Sequence, residues 1–106
     1  MDTTRLPNTH PGEILRLDFL DPLGITAYKL SKDLQVQQTR ISEILSGKRS
    51  ITADTALRLS RYFGNSAQFW LNLQAQYDLQ EAQDQNEATY KLIPKILPNC
   101  SDGFSC

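Results

Sequence analysis

The sequence is poor in the residues that most catalytic and metal chemistry requires. It has one histidine, His10, and two cysteines, Cys100 and Cys106, both in the last seven residues. Imidazole and thiolate at metal-ligand spacing are therefore missing, so no zinc site and no cofactor are expected. The two thiols cannot staple a core lying upstream, and they read as reduced tail residues of a cytosolic protein. There is no Gly-rich phosphate loop and no nucleophile set beside a histidine, which argues against an enzyme. The N-terminus has no apolar signal region. No apolar run approaches the roughly 20 residues that a membrane-spanning helix needs. A cytoplasmic protein without a membrane partner is expected. Repeats and low-complexity tracts are absent as well.

What is present is 106 residues, enough for one compact domain plus ends. The net charge of −1 does not by itself point to nucleic acid, but the distribution does. Residues 26–61 carry seven cations and three anions, whereas residues 1–25 and 62–106 are net −2 and −3. A basic middle between acidic ends is an electrostatic footprint centred on one segment.

That segment has an internal layout of its own. Thr26 can N-cap a helix by accepting a bond from a free backbone N–H. Leu30 and Leu34 follow on one face, with the small Ser31 between them allowing a close crossing. The pattern breaks at Gln35 and Val36, and Val36 should plug the gap between two helices. A second helix starts near Gln37 or Gln38, with Ile41, Ile44 and Leu45 facing a core. Thr39, Ser42, Glu43 and Ser46 lie opposite, with Gln38 and Arg40 at the edges. Gly47 is suited to close the helix in a left-handed conformation. Lys48, Arg49 and Ser50 then form a short basic loop.

Two short helices with a tight turn and a polar second helix are the layout of a helix-turn-helix. The polar face suits base reading. Gln pairs with adenine, Arg with guanine, and Glu accepts from cytosine. The candidate base readers are Gln37, Gln38, Thr39, Arg40, Ser42, Glu43 and Arg49. The candidate phosphate contacts are Thr26, Lys29, Ser46, Lys48 and Ser50. Any soluble helical hairpin shows polar residues outward, so the joint spacing carries the reading rather than the face alone. A module that keeps this fold without binding DNA stays open as another class, since fold does not fix function.

The same stretch resembles the Xre or phage-repressor class of helix-turn-helix, and the wider pattern resembles the HigA antitoxin branch, also called VapI-like. The matching pieces are His10 to Leu15, Ile41 to Arg49, Ile51 with Thr52, Ala56 to Ser60, Phe63 to Ser66, Trp70 to Gln74, and Tyr77 to Leu79. Together they span about residues 9 to 82. The resemblance implies base contacts from Gln38, Thr39 and Arg49, and a homodimer on a palindromic double-stranded operator. It also implies an antitoxin that neutralises a HigB-like mRNA endonuclease toxin and represses the shared operon. A stand-alone Xre-family regulator would look much the same. Two positions depart from the pattern. Gln35 stands where Gly is frequent, and Ala27 stands where a Gln often braces the base readers.

The flanks complete an all-α expectation: a compact five-helix, phage-repressor-like domain with a short C-terminal extension. Residues 1–9 read as a loose arm, residues 10–82 as the domain, and residues 83–106 as a partly disordered extension. Pro11 suits a first helical position, ahead of apolar Ile14, Leu15, Leu17, Phe19 and Leu20, with an end near Asp21 and Pro22. His10 reads as a cap or packing residue before that helix. A fourth helix, N-capped by Thr52, should pack into the core through Ala53, Ala56, Leu57, Ser60 and Phe63, with Arg58 and Arg61 solvated. Gly64 stops it and Ser66 caps the last helix, Ala67 to about Ala82. That helix has two apolar stripes, Trp70, Leu73 and Tyr77 on one side and Leu71, Ala75, Leu79 and Ala82 on another. The second stripe is either a homodimer interface or a face covered by the chain ends. A short helix or strand is allowed in 88–97.

Overall fold

The computed structural model describes residues 8–96. The N-terminal seven residues and the tail from 97, with Cys100 and Cys106, lie outside the described residues. Five helices account for the fold. The first, α1, runs through three geometries: α-helical Pro11–Ile14, a π-helical Leu15–Leu20, and α-helical Asp21–Leu23. It is followed by α2 (Ala27–Leu34), α3 (Gln38–Leu45), α4 (Ala53–Phe63) and α5 (Ala67–Lys91).

His10 caps α1. Its Nδ1 accepts the Gly12 N–H at 2.9 Å, and Pro11 occupies the first turn, where its missing N–H is not needed. The π turn explains a mismatch with the sequence pattern. The Asp21 N–H reaches back to the Arg16 carbonyl, five residues away. The widened turn lets Leu15 and Leu20, also five apart, both face the core at 0% and 2% exposure. Leu17, expected to be apolar packing, is instead turned out and half exposed. The helix carries Pro22 within it and ends at Leu23.

The core gathers one or two residues from every element: Leu15 and Leu20, Leu30 and Leu34, Ile41 and Ile44, Ile51, Ala56 and Leu59, and Trp70. Trp70 is its largest member. Its indole Nε1 donates to Asn65 Oδ1 at 3.0 Å, so the buried ring leaves no orphaned donor. Phe19 stacks at 4.9 Å from both Phe63 and Trp70, which fastens α1 to α4 and α5.

Helix α4 is rotated relative to the expected face. Thr55, Ala56 and Leu59 are buried, while Ala53 is exposed and Leu57 is more than half exposed. Arg58, expected to be solvated, is instead engaged. It donates to the Leu34 carbonyl at 2.7 Å and to Asp54 Oδ2 at 2.9 Å, and so covers the C-terminal end of α2. Thr52 takes the N-cap backbone position, but its hydroxyl lies 3.5 Å from Thr55 Oγ1 and makes no cap bond.

Helix α5 runs to Lys91, well past the expected end near Ala82, with non-helical torsions at Asn86. Gln83 to Ala88 has no apolar period, so the sequence reads as a loop. Pairs one turn apart sustain it instead: Gln80 with Asp84, Glu81 with Gln85, and Glu87 with Lys91. At the other end, Asn8 Nδ2 donates to the Tyr77 carbonyl at 3.0 Å and to Glu81 at 3.2 Å, so the end of the expected loose arm is pinned to α5.

Candidate nucleic-acid interface

Helices α2 and α3 form the expected pair, and the turn between them is tight because of its cap. The Val36 N–H bonds to the Ser31 carbonyl at 3.0 Å and the Gln35 N–H to the Lys32 carbonyl at 3.2 Å. This is a Schellman cap, which demands a left-handed residue at its centre. Gln35 is that residue, at φ 61° and ψ 46°. Val36, partly buried against the core, supplies the accompanying apolar contact. At the start of α2, the Thr26 hydroxyl accepts the Lys29 N–H at 3.1 Å, as expected of a cap.

The second Schellman cap closes α3. The Lys48 N–H bonds to the Glu43 carbonyl at 2.8 Å and the Gly47 N–H to the Ile44 carbonyl at 3.1 Å, with Gly47 at φ 82°. The chain then turns sharply into the Lys48–Ser50 loop beside the outer face of α3. The far end of that loop is anchored by a residue the sequence reading passed over. Gln74, buried on α5, accepts the Ile51 N–H at 2.8 Å and donates to Asp78 at 2.9 Å. One amide side chain thus sets where the basic loop re-enters the core. Its only sequence signal is a Gln on the apolar side of an amphipathic helix.

The outer face of α3 is exposed. Gln37, Gln38, Thr39 and Ser42 are all exposed, and their side chains make no hydrogen bond among the described residues. Lys48 and Ser50 are exposed and equally unengaged. The remaining candidates have partners. Arg40 Nη1 lies 2.8 Å from Asp54 Oδ2 and 3.5 Å from Thr55 Oγ1. Arg49 binds Glu43 through Nε at 2.8 Å and Nη2 at 2.7 Å, both to Oε1. Lys29 Nζ sits 2.9 Å from Asp33 Oδ2, which also accepts the Tyr62 hydroxyl. Ser46 Oγ donates to the Glu43 carbonyl at 3.2 Å.

Electrostatics follow these pairings. Hydrogen bonds from Arg40, and then Arg58, hold the Asp54 carboxyl below the usual carboxylate range. Tyr62, and then Lys29, do the same for Asp33. The bond to Asp33 raises Lys29 and Tyr62 in turn. Asp54 is therefore a hub that sequence reasoning missed. It joins α3 through Arg40 to α4 through Arg58, and Arg58 reaches the end of α2. The Asp54–Arg58 spacing of one helical turn is legible in sequence, but the long-range pairing with Arg40 is not.

On α5, Leu71 and Ala82 are partly buried, and Ala75 and Leu79 are exposed, Leu79 at 64%. The inward side of α5 is taken by Trp70 and Gln74, with Leu73 and Tyr77 partly buried. Among the described residues, no helix is long and apolar enough to cross a membrane.

The family model described as helix-turn-helix matches residues 18–70, from the π turn of α1 to the start of α5. Virulence-associated protein I of Dichelobacter nodosus is 52% identical over 89 residues, covering 84% of this chain and 82% of that protein. The chain belongs to the Xre-type helix-turn-helix family, in its HigA and VapI-like branch. A solved structure of the Pseudomonas aeruginosa antitoxin HigA with the higBA promoter is similar at a TM-score of 0.82 and 41% identity, covering 86% of this chain and 99% of that one. The HTH-type transcriptional regulator YbaQ of Escherichia coli K12, described as uncharacterised, is 38% identical over 93 residues, covering 88% of this chain and 80% of that protein. This family is one of DNA-binding regulators and antitoxins, not of enzymes.

Proposed function

We propose that this protein is a sequence-specific transcriptional repressor that binds a palindromic double-stranded operator as a homodimer and serves as the antitoxin of a HigBA-type module. The observation that carries the DNA reading is the outer face of α3. It presents amide and hydroxyl groups of Gln37, Gln38, Thr39 and Ser42 that no partner within the described residues occupies. A polar helix face with unspent donors and acceptors, beside an unpaired Lys48, matches the needs of major-groove readout.

In this reading Gln38 and Thr39 meet base edges at the start of α3, and Arg49 reaches them from the loop. Lys48, Ser50, Ser46, Lys29 and the N-terminal turn of α2 at Thr26 hold phosphates and set the register. The second copy docks along Leu71, Ala75, Leu79 and Ala82 of α5, of which Ala75 and Leu79 are exposed and Leu71 packs partly against its own core. Two-fold pairing there sets two α3 helices about 34 Å apart, one helical turn of DNA. Such a protein works where the chromosome is, in the cytoplasm. No cofactor enters the mechanism.

The antitoxin role rests on the similarity to the Pseudomonas HigA. The YbaQ similarity favours a second reading, a stand-alone regulator without a toxin. Expression of the tagged protein with its flanking genes, followed by capture and mass spectrometry, separates the two. A stoichiometric small basic partner, toxic when expressed alone, is the expected result. A homodimer that binds its own promoter with no partner leaves the stand-alone regulator. No salt-sensitive binding to any DNA sinks both.

A further inference from the structure

Glu43 is in an unfavourable place twice over. It lies three residues from the C-cap of α3, where the helix dipole disfavours an anion. It also lies on the face that the proposed function turns toward a polyanion. Its one side-chain partner is Arg49, held through two nitrogens on the same carboxylate oxygen at 2.8 and 2.7 Å. Both side chains are well exposed, at 38% and 48%, so the pair adds little to the fold. Neither helix stability nor core packing accounts for a carboxylate here.

We infer that Glu43 and Arg49 form a latch that makes this interface discriminate against non-cognate DNA, a reading that rests on the DNA-binding function proposed above. Closed, the pair is neutral, and Arg49 neutralises no phosphate. Opening leaves a carboxylate and a guanidinium that both need new partners. A G·C pair in the major groove offers both side by side: the guanine O6 and N7 accept from Arg, and the cytosine N4 amine donates to Glu. An A·T pair offers no such exchange in the same arrangement. The latch opens where G·C stands at the cognate position and stays shut elsewhere. Random DNA then meets one cation fewer.

The test uses the full chain and an operator selected from a random DNA library. E43Q keeps the side-chain shape and removes the charge that holds Arg49. Its affinity for random DNA rises, and the slope of log affinity against log salt on random DNA steepens by about 0.9, the value for one added phosphate contact. The ratio of operator to random affinity falls, because random DNA gains the Arg49 contact that the operator already has. In an R49A background, E43Q leaves the random-DNA salt slope unchanged. An E43Q protein with the wild-type slope and ratio overturns the latch. So does an equal slope change with and without Arg49, because Glu43 then acts only as a repelling charge. Wild-type protein that selects no operator refutes the DNA-binding reading itself, a result distinct from either.

Discussion

A close backbone approach between α1 and α3 makes a sharp prediction about Gly12. A Cβ built there falls 1.8 Å from the Ile44 carbonyl oxygen and 2.7 Å from its carbon. Bringing the oxygen contact even to 3.0 Å needs roughly 1.2 Å of separation between α1 and α3. Neither atom belongs to a side chain, so no rotamer change relieves the clash. Overpacking costs about 1–3 kcal/mol where side chains can adjust, which puts Gly12→Ala near 3 kcal/mol. Alanine returns about 0.5–1 kcal/mol through helix propensity. The clash wins by about 2 kcal/mol, and in a domain of this size that lowers the Tm by about 8–16 °C. Urea unfolding followed by Trp70 fluorescence and by circular dichroism measures it. Leu17→Ala, on the same helix but half exposed, sets the scale and should stay within about 0.5 kcal/mol of wild type. The effect reaches the interface, because the Ile44 carbonyl also accepts the Gly47 N–H of the α3 cap. Operator affinity should therefore fall even below the new Tm. A Gly12→Ala midpoint indistinguishable from wild type would refute the reasoning.

Other outcomes follow from single residues. Gln35→Gly removes about 1–2 kcal/mol of left-handed strain and adds about 0.4–1 kcal/mol of unfolded-state entropy, so a net gain of up to about 1.6 kcal/mol is expected in denaturant unfolding, and a loss would contradict it. Partial burial of His10 disfavours its cationic form more than Asp78 and Glu13 favour it, so its folded-state pKa lies below the usual 6.5. That contribution to stability is intact above about pH 6.5 and is lost as pH falls toward the folded value; His10→Asn, a cap that does not titrate, should lose less stability than wild type between about pH 7.5 and pH 5.5, and equal losses would count against it. Gln38→Ala should cost about 1–3 kcal/mol on the operator and relax one base position, whereas Lys48→Ala should weaken operator and random DNA alike and flatten the salt slope by about one; equal operator and random losses at Gln38 would remove it from base reading.

Much of this architecture was legible because local rules and tertiary needs agree. Thr26, Ser66 and Gly47 take the cap positions that their chemistry suits, and Ile41 and Ile44 are buried at the expected spacing. The failures have specific causes. A six-residue π turn shifts the period of α1, and no residue in Leu15–Leu20 signals it. Helix α4 buries Thr55 and Leu59 rather than Ala53 and Leu57, and its Arg58 bonds to a carbonyl 24 residues back, a pairing that no local pattern encodes. The end of α5 was missed because a helix held by polar pairs has no apolar period to read.

The interface shows the same division between composition and pairing. Segment charge identified residues 26–61 as the basic part of the chain. A charge count treats every cation there as available, and the structure does not. Lys29, Arg40, Arg49 and Arg58 are each bound to a carboxylate, and Lys32 lies over the Tyr28 ring at 5.6 Å. Lys48 stands unpaired beside α3, next to neutral amides and hydroxyls. Each paired cation must exchange its carboxylate for a phosphate to add to the sequence-independent term, which grows with each phosphate that a cation neutralises. On the proposed DNA reading, more of the surface's affinity then comes from groups that recognise particular base edges, Gln38 and Thr39 foremost. The pairing therefore argues for a protein tuned to discriminate between DNA sequences more than to hold DNA tightly. The salt slope of wild-type binding to random DNA tests this: it should correspond to fewer phosphate contacts than the seven cations of the segment would allow.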